Sequence, residues 1–169
     1  EWQWCHIAAT AEDNHRPTID GKSYCWLEFF IKKVAEAEKA SGVRLLDVFD
    51  IHWYPTEKDY KNRINWHRVL YDTTYYYEGG NGVRCASGTC DWSNEIEGYK
   101  AYRSYIFVRI NQWLEKYFGK DHGITLAITE TDLNDSDPMV TALTYASFLG
   151  TMQDNGVEII THWSWGDGM

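Results

Sequence analysis

Apolar side chains recur at three- and four-residue steps in three segments of the chain, and this spacing predicts three helices. The first spans residues 23–40, with Gly42 as its stop, and the second spans residues 94–117. The third begins at Asp137–Pro138, an N-cap followed by proline, and ends at Asn155–Gly156. The predicted apolar stripes of the three helices are Trp26, Leu27, Phe30, Ile31, Val34 and Ala37; Tyr102, Ile106, Ile110, Trp113, Leu114 and Tyr117; and Ala142, Tyr145, Ala146, Leu149 and Met152.

Three β-branched and aromatic runs predict strands at residues 45–54, 125–132 and 157–165. Helices and apolar strands therefore alternate, which favours parallel βαβ units. Between the first strand and the second helix lies a long excursion, residues 55–92, which is rich in Trp and Tyr. A loop of that length and composition is either a lid packed on the body of the protein or a wall of a binding cleft.

Each predicted strand is apolar where it begins and polar or aromatic where it ends. The three ends read Asp50–Tyr54, Glu130–Asp132 and His162–Trp165. Ligands of parallel α/β folds bind at the carboxyl ends of the strands, so the three ends point to one common site. Strict alternation predicts that Leu126, Ile128 and Glu130 share one face of their strand.

The composition argues against nucleic-acid and membrane partners. A net charge of −9 and a pI near 5.0 argue against a nucleic-acid partner, which requires clustered Lys and Arg. No apolar run reaches the roughly 20 residues of a membrane span, so we expect no membrane association. The nine Trp and twelve Tyr either build a large core or line a surface that stacks on flat ligands.

The four cysteines favour an oxidising compartment. Cys5 and Cys25, and Cys85 and Cys90, lie close enough in sequence for two local disulfides, although three connectivities are possible. A zinc site involving Cys5 and His6 is the rival interpretation, but there is no Cys-x-x-Cys pair and the spacing fits no common finger. We therefore predict disulfides, a secreted protein and no metal or other cofactor.

Three stretches carry a resemblance to a known family: GVRLLDVFDIHWYP, LAITETDLND and VEIITHWSW. They resemble the C-terminal half of family 44 glycoside hydrolases, which are secreted (β/α)8-barrel endoglucanases that cleave cellulose and related β-1,4-glucans with retention of configuration. The resemblance implies an α/β fold that is a partial TIM barrel, about the last three to four βα units. The three strands then correspond to barrel strands six to eight, and residues 1–169 to the C-terminal portion of a single catalytic domain.

The resemblance also implies roles for individual residues. Glu130 matches the catalytic nucleophile at the end of strand seven, and His52 and Tyr54 match polar groups around it. Trp163 falls where such barrels place the platform under the sugar. The remaining aromatic and acidic candidates for substrate binding are Trp53, Trp165 and Asp132. Thr131–Asp132 departs from the family, which typically has an aromatic residue and then Asn.

Retaining hydrolysis also needs a second carboxyl group, roughly 5–5.5 Å from the nucleophile. The family supplies it from an Asn-Glu-Pro motif at strand four, and that string does not occur here. Asp132 and Asp50 are the in-chain candidates, although we expect Asp50 to orient His52 by a hydrogen bond. A complete barrel takes about 250 residues, so we expect the acid/base half to be missing from this chain.

Two alternatives remain open on the sequence. One is a non-catalytic carbohydrate-binding protein that uses the aromatic strand ends. The other is a structural, secreted assembly protein whose open strand edges pair with another copy or with a missing barrel half.

Overall fold

The computed structural model describes residues 18–19, 21–24, 26–54, 59–75, 95–96, 99–100 and 105–163. Its elements in chain order are β1 (Thr18–Ile19), β2 (Lys22–Ser23), α1 (Trp26–Ser41), β3 (Val48–His52), α2 (Tyr60–Asn65), a 3-10 helix (Trp66–Leu70), β4 (Glu95–Ile96), β5 (Tyr99–Lys100), α3 (Ile106–Phe118), β6 (Thr125–Thr131), α4 (Pro138–Asp154) and β7 (Val157–His162). Among these residues, no helix has the length and apolar character needed to span a bilayer.

The three predicted strands form one parallel sheet in the order β3-β6-β7, so β6 lies in the middle. The short strands form two separate antiparallel hairpins, β1 with β2 and β4 with β5. Helices α3 and α4 precede β6 and β7, which gives the successive βα units that the alternation predicts. The arrangement is α/β and is consistent with part of a (β/α)8 barrel.

One face of the sheet packs against the helices. Phe49 and Ile51 of β3 and Leu126 and Ile128 of β6 are all buried and join a single core cluster. The helices and the 3-10 turn contribute Ile31, Trp66, Val69, Leu70, Ile106, Phe107, Ile110, Trp113, Leu114, Phe148 and Met152 to it. On the opposite face, Val48 and Ile159 are about 40% exposed (39% and 40%).

The buried faces of α1 and α4 are rotated from the predicted stripes. In α1, Phe30 is exposed, whereas Glu28 is buried. In α4, Ala142, Ala146 and Leu149 are exposed, whereas the buried positions include Thr141, Thr144 and Thr151. The prediction was wrong at these positions because it counted only apolar residues, whereas the hydroxyls of Thr141 and Thr151 have partners that allow their burial. The Thr151 hydroxyl lies 2.7 Å from Nδ1 of His67, and the Thr141 hydroxyl accepts from the backbone N–H of Asp135 at 2.8 Å.

The buried carboxylate of Glu28 joins α1 to α3. Its Oε1 accepts hydrogen bonds from Lys116 Nζ at 2.8 Å and from the Tyr117 hydroxyl at 2.7 Å. Burial and the bond to the Glu28 carboxylate raise the pKa of Tyr117 to about 12. Burial alone would lower the pKa of Lys116, but the bonds to Glu28 and Tyr117 outweigh it and raise the pKa.

The long excursion is not a continuous loop. Its first part contains α2, capped by the Asp59 carboxylate, and the 3-10 helix that follows. Trp66 is 1% exposed in the core, so this part of the excursion packs on the body of the protein. The six residues of α2 are too few for a periodic pattern to reveal a helix. Residues 76–94, including the tyrosines at 76 and 77, lie outside the described part.

The second helix begins later than predicted. Helix α3 starts at Ile106 rather than at residue 94, and the segment before it contains the β4–β5 hairpin. From Ile106 onward the predicted stripe is confirmed, because Ile106, Ile110, Trp113 and Leu114 are buried. The helix ends at Gly119, whose φ of 93° lies in the region that glycine adopts without steric cost.

Candidate functional site

Glu130 lies at the carboxyl end of the central strand, and its two carboxylate oxygens face polar groups at and just beyond the end of β3. The Tyr54 hydroxyl donates to Oε1 at 2.5 Å, and Nδ1 of His52 lies 3.1 Å from Oε2. The Glu130 side chain is 24% exposed, so the carboxylate remains open to a ligand. The structure therefore brings together Glu130, His52 and Tyr54, three of the predicted site residues.

The register of β6 decides which face carries Glu130. The strands β3 and β6 pair one-to-one up to Ile51 with Ile128, but the next partner of His52 is Glu130. Thr129 is therefore an extra residue on β6, and it turns Glu130 onto the face of His52. Strict alternation was wrong in placing Glu130 with Leu126 and Ile128, because those two side chains lie in the core under the helices.

Trp53 lies between two site residues in sequence but on the other face of the chain. Its backbone N–H donates to the Glu130 carbonyl at 3.0 Å, which continues the pairing past the end of β3. The ring is 2% exposed and stacks on Phe148, with centroids 5.0 Å apart and planes 11° apart. The prediction that Trp53 binds substrate was wrong, since a ring buried in the core cannot stack on a sugar.

Asp50 does not orient His52 in the way the sequence suggested. Its Oδ2 lies 3.9 Å from Nε2 of His52, beyond hydrogen-bond distance. The two carboxylate oxygens instead accept from Thr129, Oδ1 from the backbone N–H at 2.9 Å and Oδ2 from the hydroxyl at 2.5 Å. Asp50 therefore acts directly on the extra residue of β6.

Asp132 lies two residues beyond Glu130 and is half-buried. Its Oδ1 accepts from the backbone N–H of Asn134 at 3.0 Å, which is a local turn contact. Its negative charge, together with burial as the larger cause, raises the pKa of Tyr145 on α4. A role of Asp132 in substrate binding stays a prediction.

Trp163 follows the end of β7 and presents its ring to solvent. Its backbone N–H donates to the Thr131 carbonyl at 2.9 Å, next to Glu130 in sequence, and the residue is 68% exposed. An open indole at this edge is compatible with the predicted sugar platform, which stays a prediction. Trp165 and the cysteines Cys5, Cys25, Cys85 and Cys90 lie outside the described residues.

Sequence reasoning missed two residues that hold this edge of the sheet. Nothing in the local sequence around Thr129 predicts its role, because that role depends on how β6 pairs with its neighbouring strands. Arg63 of α2 is buried, donates to the carbonyl of Asn134, and its Nε lies 3.4 Å from Oδ2 of Asp135. Arg63 thereby connects α2 to the loop after β6. Arg63 and Asn134 are 71 positions apart in sequence, so no local pattern reveals this contact.

Within the part of the chain described here, no group of three or more His, Cys, Asp or Glu side chains is arranged to hold a metal ion. The polar groups at the end of β6 are instead a carboxylate, an imidazole and a phenol. That set suits proton transfer and nucleophilic attack.

Comparisons with known proteins find similarity to glycoside hydrolases. Residues 1–57 match glycoside hydrolase family 44. The chain is 25% identical over 162 residues to a beta-mannanase/endoglucanase A of Caldicellulosiruptor saccharolyticus and 23% identical over 162 residues to endoglucanase A of Paenibacillus lautus. These alignments cover 86% and 87% of the chain but only 12% and 21% of the relatives.

Solved structures give the same result. The chain superposes on a family 44 xyloglucanase of Paenibacillus polymyxa with a TM-score of 0.62 and 24% identity, over 86% of this chain and 28% of that one. It superposes on Cel44A, a family 44 endoglucanase of Clostridium thermocellum, with a TM-score of 0.61 and 27% identity, over 83% of this chain and 28% of that one. The resemblance to family 44 is confirmed, and the chain spans well under a third of each of these proteins.

Proposed function

We propose that this chain, which resembles family 44 glycoside hydrolases over most of its length, carries the nucleophile side of a retaining glycosidase that cleaves β-1,4-linked glucan. The observation that carries the proposal is the setting of Glu130. Its two oxygens face the Tyr54 hydroxyl at 2.5 Å and His52 Nδ1 at 3.1 Å, while the side chain stays partly open. The relatives named as endoglucanases and as a xyloglucanase support the substrate class.

In this mechanism Glu130 attacks the anomeric carbon as the glycosidic C–O bond breaks, and the acid/base carboxyl group protonates the leaving oxygen. Water then hydrolyses the covalent glycosyl–enzyme intermediate, and the acid/base group takes up the proton of the water. A hydrogen bond from Tyr54 and the nearby imidazole of His52 orient the carboxylate toward the substrate. The exposed ring of Trp163 and the carboxylate of Asp132 contribute sugar contacts. Trp165 is a further candidate for such a contact.

The acid/base carboxyl group comes from a barrel half outside this chain. The three parallel strands correspond to strands six to eight of the barrel, and residues 1–169 to the C-terminal portion of its catalytic domain. We further propose secretion and disulfides within the pairs Cys5–Cys25 and Cys85–Cys90. On this proposal the 169-residue chain by itself hydrolyses soluble β-glucan slowly or not at all.

The test is Glu130→Gln in the full-length natural protein. We expect a loss of about 10⁴-fold or more in kcat on soluble β-glucan, because the amide is no nucleophile. A 2-deoxy-2-fluoro cellobioside should label the wild-type protein at Glu130, as shown by peptide mass spectrometry. A Glu130→Gln protein with wild-type turnover would contradict the proposal.

Carbohydrate binding without catalysis is the competing function, and the open ring of Trp163 favours it. Calorimetry separates the two. Glucan binding that is unchanged by Glu130→Ala, with no product after long incubation of the wild-type protein, would favour the binding function.

A further inference from the structure

The extra residue on β6 is present in the pairing with both neighbouring strands. Between Ile128 and Thr131 the central strand advances three residues while β7 advances only from Ile160 to His162. In the pairing with β3, the consecutive residues Ile51 and His52 lie opposite Ile128 and Glu130, so Thr129 has no partner in the register. The irregularity is therefore a β-bulge in β6 itself and not a displacement of one edge.

Side chains from both neighbouring strands bind Thr129. Asp50 of β3 accepts from its backbone N–H at 2.9 Å and from its hydroxyl at 2.5 Å. The Thr161 hydroxyl of β7 donates to the Thr129 carbonyl. A bulged residue loses regular pairing with the facing strand, so contacts of this kind decide whether the bulge forms at this position.

The bulge has a direct consequence for the carboxylate that follows it. Without the extra residue, Glu130 would lie opposite Trp53 instead of His52. Its side chain would then lie on the same face as Ile128, which is 0% exposed in the core. With it, Glu130 lies beside His52 and Tyr54 on the open face. Whichever group fixes Thr129 therefore also fixes the direction of Glu130.

We propose that Asp50 is a positioning residue for Glu130, acting through the bulge at Thr129. This inference rests on the proposed function insofar as it predicts an effect on turnover. It adds that the carboxylate of Asp50 itself neither attacks nor protonates the sugar. Its two oxygens are the acceptors that hold Thr129 in place.

The variants are made in the full-length natural protein. Asp50→Ala removes both acceptors, Thr129→Val removes only the hydroxyl bond, and Thr129→Ser keeps both bonds as the matched control. We expect Asp50→Ala to lower kcat about 10- to 100-fold with KM within about twofold, since a misplacement near 1 Å can cost about 100-fold. Thr129→Val should lower kcat by less, and Thr129→Ser should retain wild-type turnover.

A second readout is independent of activity. Amide hydrogen exchange at Thr129 should be about tenfold faster or more in Asp50→Ala, because its N–H loses the acceptor, and unchanged in Thr129→Ser. If Asp50→Ala does not fold, Asp50→Asn replaces it. The amide oxygen of Asn still accepts the N–H and the amide group can donate to the Thr129 hydroxyl, so slow exchange and turnover close to wild type are expected together. Lost turnover with slow exchange at Thr129 in Asp50→Asn would overturn the positioning role.

The outcomes separate the two proposals. Unchanged exchange at Thr129 in Asp50→Ala would overturn the positioning role, whatever the activity. Unchanged kcat in Asp50→Ala alongside an inactive Glu130→Gln would overturn it as well. An active Glu130→Gln with fast exchange in Asp50→Ala would overturn the function of Glu130 but leave the bulge contact established.

Discussion

The hydroxyl of Tyr54 lies 2.5 Å from Oε1 of Glu130, across a sequence separation of 76 residues. The contact joins a residue two positions beyond the end of β3 to the carboxyl end of β6, and it forms because the two strands are parallel neighbours. The backbone N–H of Trp53 donates to the Glu130 carbonyl at 3.0 Å and fixes the same relationship in the main chain.

Tyr54→Phe removes the hydroxyl that donates to Glu130 and leaves the ring. We expect kcat on soluble β-glucan to fall about 10- to 100-fold, because an oriented hydrogen bond to the nucleophile is lost at the reacting centre. Thermal stability should change little, since the side chain is only half-buried. Tyr60→Phe is the matched control, because Tyr60 is 54% exposed on α2. Wild-type kcat in Tyr54→Phe would contradict the role of the hydroxyl.

The tryptophans Trp53 and Trp163 should separate stability from binding. Trp53→Ala removes a ring that is 2% exposed and stacked on Phe148, so we expect a loss of roughly 3–5 kcal/mol in the free energy of unfolding. Trp163→Ala should leave that free energy unchanged and raise KM about 2- to 10-fold, the worth of one aromatic stacking contact.

Urea denaturation and steady-state kinetics on both variants provide the measurements for this pair. A stable Trp53→Ala protein with weakened glucan binding would reverse the assignment. An unchanged KM in Trp163→Ala would remove this ring from the substrate site.

Glu28→Gln tests the buried carboxylate between α1 and α3. The amide cannot accept as strongly from Lys116 and Tyr117, and hydrogen bonds to charged groups contribute about 1.5–3 kcal/mol. We expect a loss of that size in the free energy of unfolding, measured by urea denaturation. Glu36→Gln, on the exposed side of the same helix, should leave stability unchanged. Equal effects of the two substitutions would contradict the role of the buried Glu28 carboxylate.

Acidification should destabilise the protein through His67. Burial, and to a lesser extent the charge of Arg68, lowers the pKa of His67 below its ordinary value of 6.5. The unfolded chain therefore takes up a proton at a higher pH than the folded chain. The free energy of unfolding should fall as the pH drops from about 7 through 6.5 toward the folded pKa.

The non-titrating variant His67→Asn isolates this contribution, because its amide can still bond the Thr151 hydroxyl. The difference in unfolding free energy between wild type and variant should vary with pH below about 7 and be constant at higher pH. A difference that stays constant over the whole range would show that His67 does not contribute to the acid destabilisation.

Local sequence determined the elements with a clear period or cap. The Asp137–Pro138 start of α4, the body of α3 and the strand from Thr125 to Thr131 follow from capping chemistry and apolar spacing. The polar strand ends indicated a common site, because parallel strands present their carboxyl ends at one edge, and the resemblance to family 44 singled out Glu130, His52 and Tyr54 within it. The caps and the apolar spacing depend on neighbours within a few residues, so one sequence suffices to predict them.

Tertiary structure decided what depends on distant partners. The bulge at Thr129 turns Glu130 toward His52, and its partners on β3 and β7 are distant in sequence. Burial of Trp53 against Phe148 and the contact of Arg63 with the loop after β6 likewise join separate elements. Periodicity reports which residues can share a face, but register and long-range hydrogen bonds determine which face opens onto the site.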